Sequence, residues 1–418
     1  MNNPKSVLTL CKSQGILPFL IGLISIFFYH CSDSDDGIEP ELHTATLSST
    51  TVSDISTNSV TVNSSVINNG NSTILEHGFV WSTESNPTVD DNVVTDFEVN
   101  GDTYTATIKD LDPNTEYFVK AFAKNNVGIS YGDEIGFTTD HFIYEGDIHL
   151  KTQSEIDDFG EMGYTYINGN LDIGSSTTIL SYQPSINSLE GLSTITAING
   201  LLRISWVNNL VSLKGLENIS SLGALYLIRV DKLKNLDELL NVTSFEHESL
   251  ISFIGINDSL TNIDGLKNVT KINSRLEISS NNNLENIDGL MGLTSIGQDL
   301  IIQGNPKLEN IDGLANLVDF DQDLSIRGNV SLTNLDGLSK ITTVNFLLVS
   351  DNENLDNING LNNISSVGFG CTFLRNTSLK DFCVFQSIIS NSNEFEFITS
   401  ENLYNPSKQD VIEGNCSQ

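Results

Sequence analysis

Between residues 188 and 379 the apolar positions of this chain return on a fixed schedule. From residue 286 it reads NIDGLMGLTSIGQDLIIQGNPKLE, and from residue 310 NIDGLANLVDFDQDLSIRGNVSLT. The turn glycine recurs at Gly191, Gly215, Gly265, Gly289, Gly313, Gly337 and Gly360, mostly 24 residues apart, and the wide gap after Gly215 holds a degenerate copy at 236–239. A repeat of this size predicts a solenoid, in which no single coil can bury its apolar face alone. Inside each unit the pattern is L-x-I-x-x-N-x-x-L, as in Leu300, Ile302, Asn305 and Leu308. The alternation predicts a short strand with one face in the core, repeated at Leu276/Ile278, Leu324/Ile326 and Leu347/Val349.

Two polar columns accompany the apolar ones. An asparagine follows each strand at Asn257, Asn281, Asn305, Asn329, Asn352 and Asn376. Asparagine tolerates turn conformations and its amide both donates and accepts, so stacked copies predict an asparagine ladder between coils. The turn aspartates Asp264, Asp288, Asp312 and Asp336 form a like-charge column, stacked about 5 Å apart. The plain expectation is that each accepts backbone N–H bonds of its own turn. The sharper one is a row of weak Ca²⁺ sites, although the ligand density of a dedicated calcium loop is missing.

Before the repeats, residues 42–140 alternate with a period of two. Strands are expected at 59–63, 78–82, 103–108, 117–123 and 135–137, and about seven short strands in such a length predict a β-sandwich. The junction at 138–147 lacks a Gly/Ser or Pro run, so it is not read as a loose linker. Ser154 to Asp157 fits a capping box, which predicts helical turns over 153–159, and 168–173 reads as the first coil strand. At the far end, helices are expected from 378 to about 389 and from 405 to Gly414, as the cap that a terminal coil needs. Cys383 and Cys416 bracket this cap with the spacing of a disulfide clamp, and Cys371 occupies an inward leucine position.

The repeat unit resembles leucine-rich repeats and, in its longer form, the receptor L domain. That resemblance covers about 146–418 and implies a right-handed β-helix-like solenoid. LDPNTEY at 111–117 resembles the fibronectin type III signature, which implies a tyrosine-corner role for Tyr117 and a core position for Trp81. At the start, Lys5 and Lys12 precede an apolar run at 16–29, and Cys31 is followed by SDSDDG. This resembles bacterial lipoproteins whose acidic tether directs them to the cell surface. The expectation is therefore an all-β chain: signal peptide 1–30, acidic tether 31–41, fibronectin type III-like domain 42–140 and repeat solenoid 141–418. The resemblance implies acylation of Cys31 and an outer-membrane, surface-exposed location.

Charge narrows the partners. A formal net charge of −34 argues against nucleic acid and anionic membrane surfaces as ligands. The six histidines are scattered, with no pair at metal-ligand spacing on one element, and no catalytic constellation can be assembled, so no enzyme activity, cofactor or metal is expected. The outward residue between the two inward apolar positions gives a column of Arg203, Tyr226, Phe253, Glu277, Ile301, Ser325 and Leu348. Beside it run Trp206, Arg229, Ser280, Gly304, Gly328 and Asp351. Arg203, Trp206, Tyr226, Arg229 and Phe253 form the candidate ligand face, since Trp, Tyr and Arg dominate binding hot spots. A one-residue slip in the degenerate coil would instead turn these side chains into the core. The expected function is non-catalytic binding or adhesion, with a protein or glycan ligand. The alternatives are a structural coat protein and a glycan-capturing accessory of polysaccharide uptake.

Acyl chains on Cys31 would bury about 0.8 kcal/mol per CH₂ group, enough to hold the protein without a spanning helix. Cys31→Ala is expected to release the chain or stall its precursor. Membrane fractionation checks this, and a correctly processed variant retained at wild-type level overturns it.

Overall fold

The computed structural model describes residues 41–100, 103–175, 185–391 and 395–418. The apolar leader, Cys31 and nearly all of the acidic tether lie outside the described residues. Among those described, no helix is long and apolar enough to cross a membrane.

The period-2 segment folds as two antiparallel sheets. One contains Val60–Asn68 between Thr46–Leu47 and Thr103–Ile108; the other contains Glu116–Lys124 between Glu76–Ser82 and Ile135–Thr138. Alternate residues of the facing strands meet in a shared core of Val60, Val62, Phe79, Tyr104, Ala106, Tyr117, Val119 and Ala121. The Tyr117 hydroxyl accepts the Asp112 N–H at 3.0 Å, which ties the strand to the preceding turn. Trp81 is only half-buried, edge-on to Tyr117 at 5.5 Å, because Phe79 on the same face of the same strand already fills the centre. The expected core tryptophan is thus a rim residue.

Only residues 139–142 separate this unit from the solenoid. The strand Ile143–Glu145 already pairs in parallel with Tyr166–Asn168, so coiling starts well before 168. Phe142 N–H donates to Thr165 Oγ1 at 2.9 Å, and Asn114 Nδ2 reaches across to Thr196 Oγ1 at 3.1 Å.

From there one long parallel sheet runs in sequence order through Leu171–Gly174, Ala197–Ser205, Ser221–Ile228, Ser252–Gly255, Leu276–Ser279, Leu300–Gln303, Asp323–Arg327, Thr343–Ser350, Ser366–Leu374 and Glu396–Ser400. Leu276, Leu300, Leu324 and Leu347 stand in register, as do Ile278, Ile302, Ile326 and Val349, and all are buried. The degenerate coil keeps this register. Ser252, fully buried, takes the leucine place, and Phe253 pairs with Glu277.

The asparagines form a continuous internal ladder. Asn281 donates its main-chain N–H (3.0 Å) and one Nδ2 hydrogen (3.2 Å) to Asn305 Oδ1, and Nδ2 also donates to Ile254 O at 2.9 Å. The same unit repeats from Asn257 to Asn376 and continues to Asn402 and Asn405. A second asparagine column runs alongside: Asn241, Asn268 and Asn363 each donate Nδ2 to a carbonyl of the preceding coil.

Between strands each coil makes a 3-10 turn, as at Asp264–Leu266, Asp288–Leu290, Asp312–Leu314 and Asp336–Leu338. A Cβ on Gly289, Gly313 or Gly337 would run into the carbonyl oxygen of Ile263, Ile287 or Ile311 in the coil before. Glycine is required there by backbone contact between turns. The aspartates do not cap their own turns as expected. That role belongs to the asparagine two residues earlier, as when Asp288 N–H donates to Asn286 Oδ1 at 3.2 Å. The Asp288 carboxyl is pushed above its ordinary value by desolvation, then by the charges of Asp264 and Asp312. Among the described residues no group of three or more His, Cys, Asp or Glu side chains is placed to hold a metal ion.

Both ends are closed. The helix Gln153–Glu161 carries its capping box on Thr152 and Glu155, two residues before the pairing expected on Ser154, because Thr152 is the extended residue from which the helix departs. Leu379 stays in the last coil as the N-x-x-L leucine. The C-terminal cap therefore begins later than expected, with the 3-10 turn Cys383–Phe385 running into Gln386–Asn391. The helix Lys408–Ile412 follows, capped by Ser407. A Cys383–Cys416 disulfide joins these pieces with Cα atoms 4.9 Å apart. Cys371 lies buried opposite Leu347, its thiol pushed up to about 12 by burial.

Asn305→Ala leaves the Asn281 N–H and the Ile278 carbonyl without a partner, at roughly 1–3 kcal/mol each. Urea denaturation should show this loss, while Asn282→Ala on the exposed neighbour changes stability by about 0.5 kcal/mol or less. Asp288 titrates at a higher pH folded than unfolded, so its share of stability is present below the ordinary aspartate value and is lost as pH rises through the elevated one. Asp288→Asn should therefore raise the urea midpoint at neutral pH and leave it unchanged in acid. An equal shift at both pH values would rule out charge repulsion as the cause.

Candidate functional site

The strand alternation that sends Leu and Ile inward sends the residues between them to the opposite side of the sheet. Pairing runs Asp172, Arg203, Tyr226, Phe253, Glu277, Ile301, Ser325, Leu348 across successive strands. All are half-buried and outside the solenoid core. The slip that would have buried the candidate residues does not occur.

The structure places the five candidates in two contact groups on neighbouring strands. The Arg203 guanidinium lies over the Tyr226 ring at 5.2 Å, and Tyr226 stacks on Phe253 at 5.0 Å with the rings 24° apart. Arg229 lies over Trp206 at 5.1 Å. Asp172 orients the edge of the first group, with Arg203 Nε at 3.7 Å and His149 Nδ1 at 2.9 Å.

Trp206 and Arg229 reach this face through an unusual backbone. After each strand one residue adopts a left-handed conformation: Trp206 at φ 60°, Arg229 at 57°, Ile256 at 56°, Ser280 at 58°, Gly304 and Gly328 at 64°, Asp351 at 59° and Arg375 at 55°. Glycine adopts it freely, whereas other residues incur about 1–2 kcal/mol. The early coils therefore hold a tryptophan, an arginine and a β-branched isoleucine where the later coils show that glycine suffices.

Those glycines create a feature the sequence reading did not assign. Gly304 and Gly328 floor an open trough of about 500 Å³, lined by Gln303, Arg327, Leu348, Asp351, Leu374 and Arg375. Arg375 forks Asp351 through Nε and Nη2 at 2.5 and 2.9 Å, which holds the Asp351 carboxyl below its usual range. Arg327 donates to Gln303, whose Nε2 donates to Glu277 at 3.1 Å, and Glu277 also pairs with Arg275. The signal for this trough was present as consecutive glycines in a column whose neighbours carry side chains. The arrangement offers guanidinium forks, amides and flat rings on a rigid sheet, which is the equipment of recognition.

No family model matches the chain, and no curated protein matches it. Eleven chains of known structure do match. One of them, titled "Myokine structure", is 21% identical and covers 23% of this chain and 99% of its own length, with a TM-score of 0.19, a likeness too slight to carry an argument.

Proposed function

We propose that this protein is a non-catalytic binding module of the bacterial cell surface. A lipid on Cys31 holds it to the outer membrane, a fibronectin type III-like sandwich acts as spacer, and a receptor L domain-like solenoid presents the ligand face. Two antiparallel sheets, with the Tyr117–Asp112 bond in the turn that leads from one into the other, support the sandwich reading. The repeat with its asparagine ladder supports the solenoid reading. The observation that carries the function is the left-handed backbone of Trp206 and Arg229, where glycine would be less strained. Local strain of this kind is retained where a side chain is needed for contact. The two side chains stack on each other beside the Arg203, Tyr226 and Phe253 stack, on a sheet too rigid to lose much entropy on binding.

Trp206→Gly relieves about 1 kcal/mol of backbone strain, so the variant should melt within a few degrees of wild type. On an array of glycans and extracellular proteins, combining it with Tyr226→Ala should abolish the binding shown by the wild-type chain. Unchanged binding, or a collapse in melting temperature, would show that these side chains serve the fold.

A further inference from the structure

Where the sandwich meets the first coils there is a second, separate cleft. It has a volume of about 550 Å³ and is lined on the sandwich side by residues 112–115 and on the solenoid side by Gly163, Thr165, Ser193, Thr194, Thr196 and Asn218. Both walls are fixed. On the sandwich side Thr139 Oγ1 donates to Asp112 O at 2.6 Å, Thr115 N–H donates back to Thr139 Oγ1 at 3.0 Å, and Asn114 N–H donates to Asp140 O at 3.1 Å. On the solenoid side the coils are tied to each other, as where Thr196 N–H donates to Thr165 O at 2.8 Å. Asn114 Nδ2 joins the two walls through Thr196 Oγ1 at 3.1 Å.

The lining side chains have committed most of their hydrogens to the protein. The hydroxyls of Thr115, Thr194 and Thr196 donate to Pro113 O at 2.9 Å, Tyr164 O at 2.9 Å and Thr165 O at 3.0 Å. Asn218 Nδ2 donates to Ser193 O at 2.8 Å, and Asn114 Nδ2 is held by Thr196. A hydroxyl carries one hydrogen but two lone pairs, and a side-chain amide keeps its carbonyl oxygen when its nitrogen donates. What the cleft still offers is therefore mainly acceptors: the hydroxyl oxygens of Thr115 and Thr194, the amide oxygens of Asn114 and Asn218, and the Asp112 carboxylate.

We propose that this cleft binds a small neutral sugar of one or two rings, accepting hydrogen bonds from its hydroxyl groups. The site is distinct from the strand face and does not rest on it. Its volume falls in the range of small-molecule sites. No Lys, Arg or His side chain lines it, so an anion finds no counter-charge. A cation, metal or organic, is poorly served as well. Asp112 is the single lining carboxylate and is exposed, and among the described residues no group of three or more His, Cys, Asp or Glu side chains is placed to hold a metal ion. Pro113 is the one apolar side chain of the lining, so an apolar ligand gains little burial. A polyol brings several uncharged donors spread over one small surface, which is what the remaining acceptors require. Because both walls are already tied in place, little ordering is left for the ligand to impose.

Saturation-transfer NMR titration of the full-length chain tests this with neutral disaccharides (maltose, cellobiose and lactose), with digalacturonate as the anionic probe and argininamide as the cationic one. At least one neutral disaccharide is expected to bind with a Kd of about 1 mM, the scale of a few neutral hydrogen bonds, and the two charged probes about tenfold more weakly or not at all. Thr194→Val and Asn218→Ala should each weaken sugar binding roughly three- to tenfold. Asn241 makes the same bond to the preceding coil as Asn218 but lies outside the cleft, so Asn241→Ala should leave sugar binding unchanged. Absence of binding by all three neutral disaccharides overturns the proposal, as does tighter binding of argininamide or digalacturonate. Sugar binding that is indifferent to both cleft variants but removed by Trp206→Gly with Tyr226→Ala also overturns it, and places the sugar on the strand face instead. Circular dichroism melts of each variant separate loss of contact from loss of fold.

Discussion

The solenoid depends on how closely its coils approach. Parallel strands hydrogen-bond at about 4.8 Å, and every turn connecting them must stack at the same distance. Two residue types make that possible. The ladder asparagines, fully buried from Asn257 to Asn376, donate and accept at once, so each coil satisfies the turn of the next. The turn glycines allow one backbone to touch another where a Cβ would strike the carbonyl of Ile263, Ile287 or Ile311. The apolar rows between them supply most of the driving force, but they could slide; the amide ladder fixes register. Its start shows the limit of its reach, since the equivalent place holds Val207 and then Val230, whose N–H is the first group bonded to Asn257.

That constraint also decides where variation is possible. Inward leucines and isoleucines, ladder asparagines and turn glycines are all fixed by the stack. The outward columns of the sheet are not, and they hold every arginine of the chain, together with Trp206, Tyr226 and Phe253. The face is rigid because the stack behind it is, and the guanidinium groups of Arg203, Arg275 and Arg375 are held by Asp172, Glu277 and Asp351. Elsewhere the acidic surface keeps like charges close, as along Asp264, Asp288 and Asp312, where burial first and that proximity second raise the Asp288 titration. The chain accepts this repulsion on its turns while confining its arginines to the sheet.

The repeat pattern alone determined a good deal. Alternation at Leu300 and Ile302 fixed the strand and its inward face, and the spacing to Asn305 fixed the ladder, because both follow from a period that every coil must share. The outward column came with them, since whatever is not inward in a strand is outward. Tertiary structure decided matters that depend on which neighbour a residue meets. Asn286, not Asp288, caps the turn, since two polar side chains compete for one N–H and the backbone path chooses. Thr152 replaces Ser154 as the helix cap, and Leu379 belongs to the last coil because Asn376 stands three residues before it. Trp81 lies at the rim because Phe79 already fills the centre. The trough between Arg327 and Arg375 is the clearest case. Its glycines are plain in the sequence, but a groove is made by side chains that are missing from adjacent coils, and adjacency across coils exists only once the chain is wound.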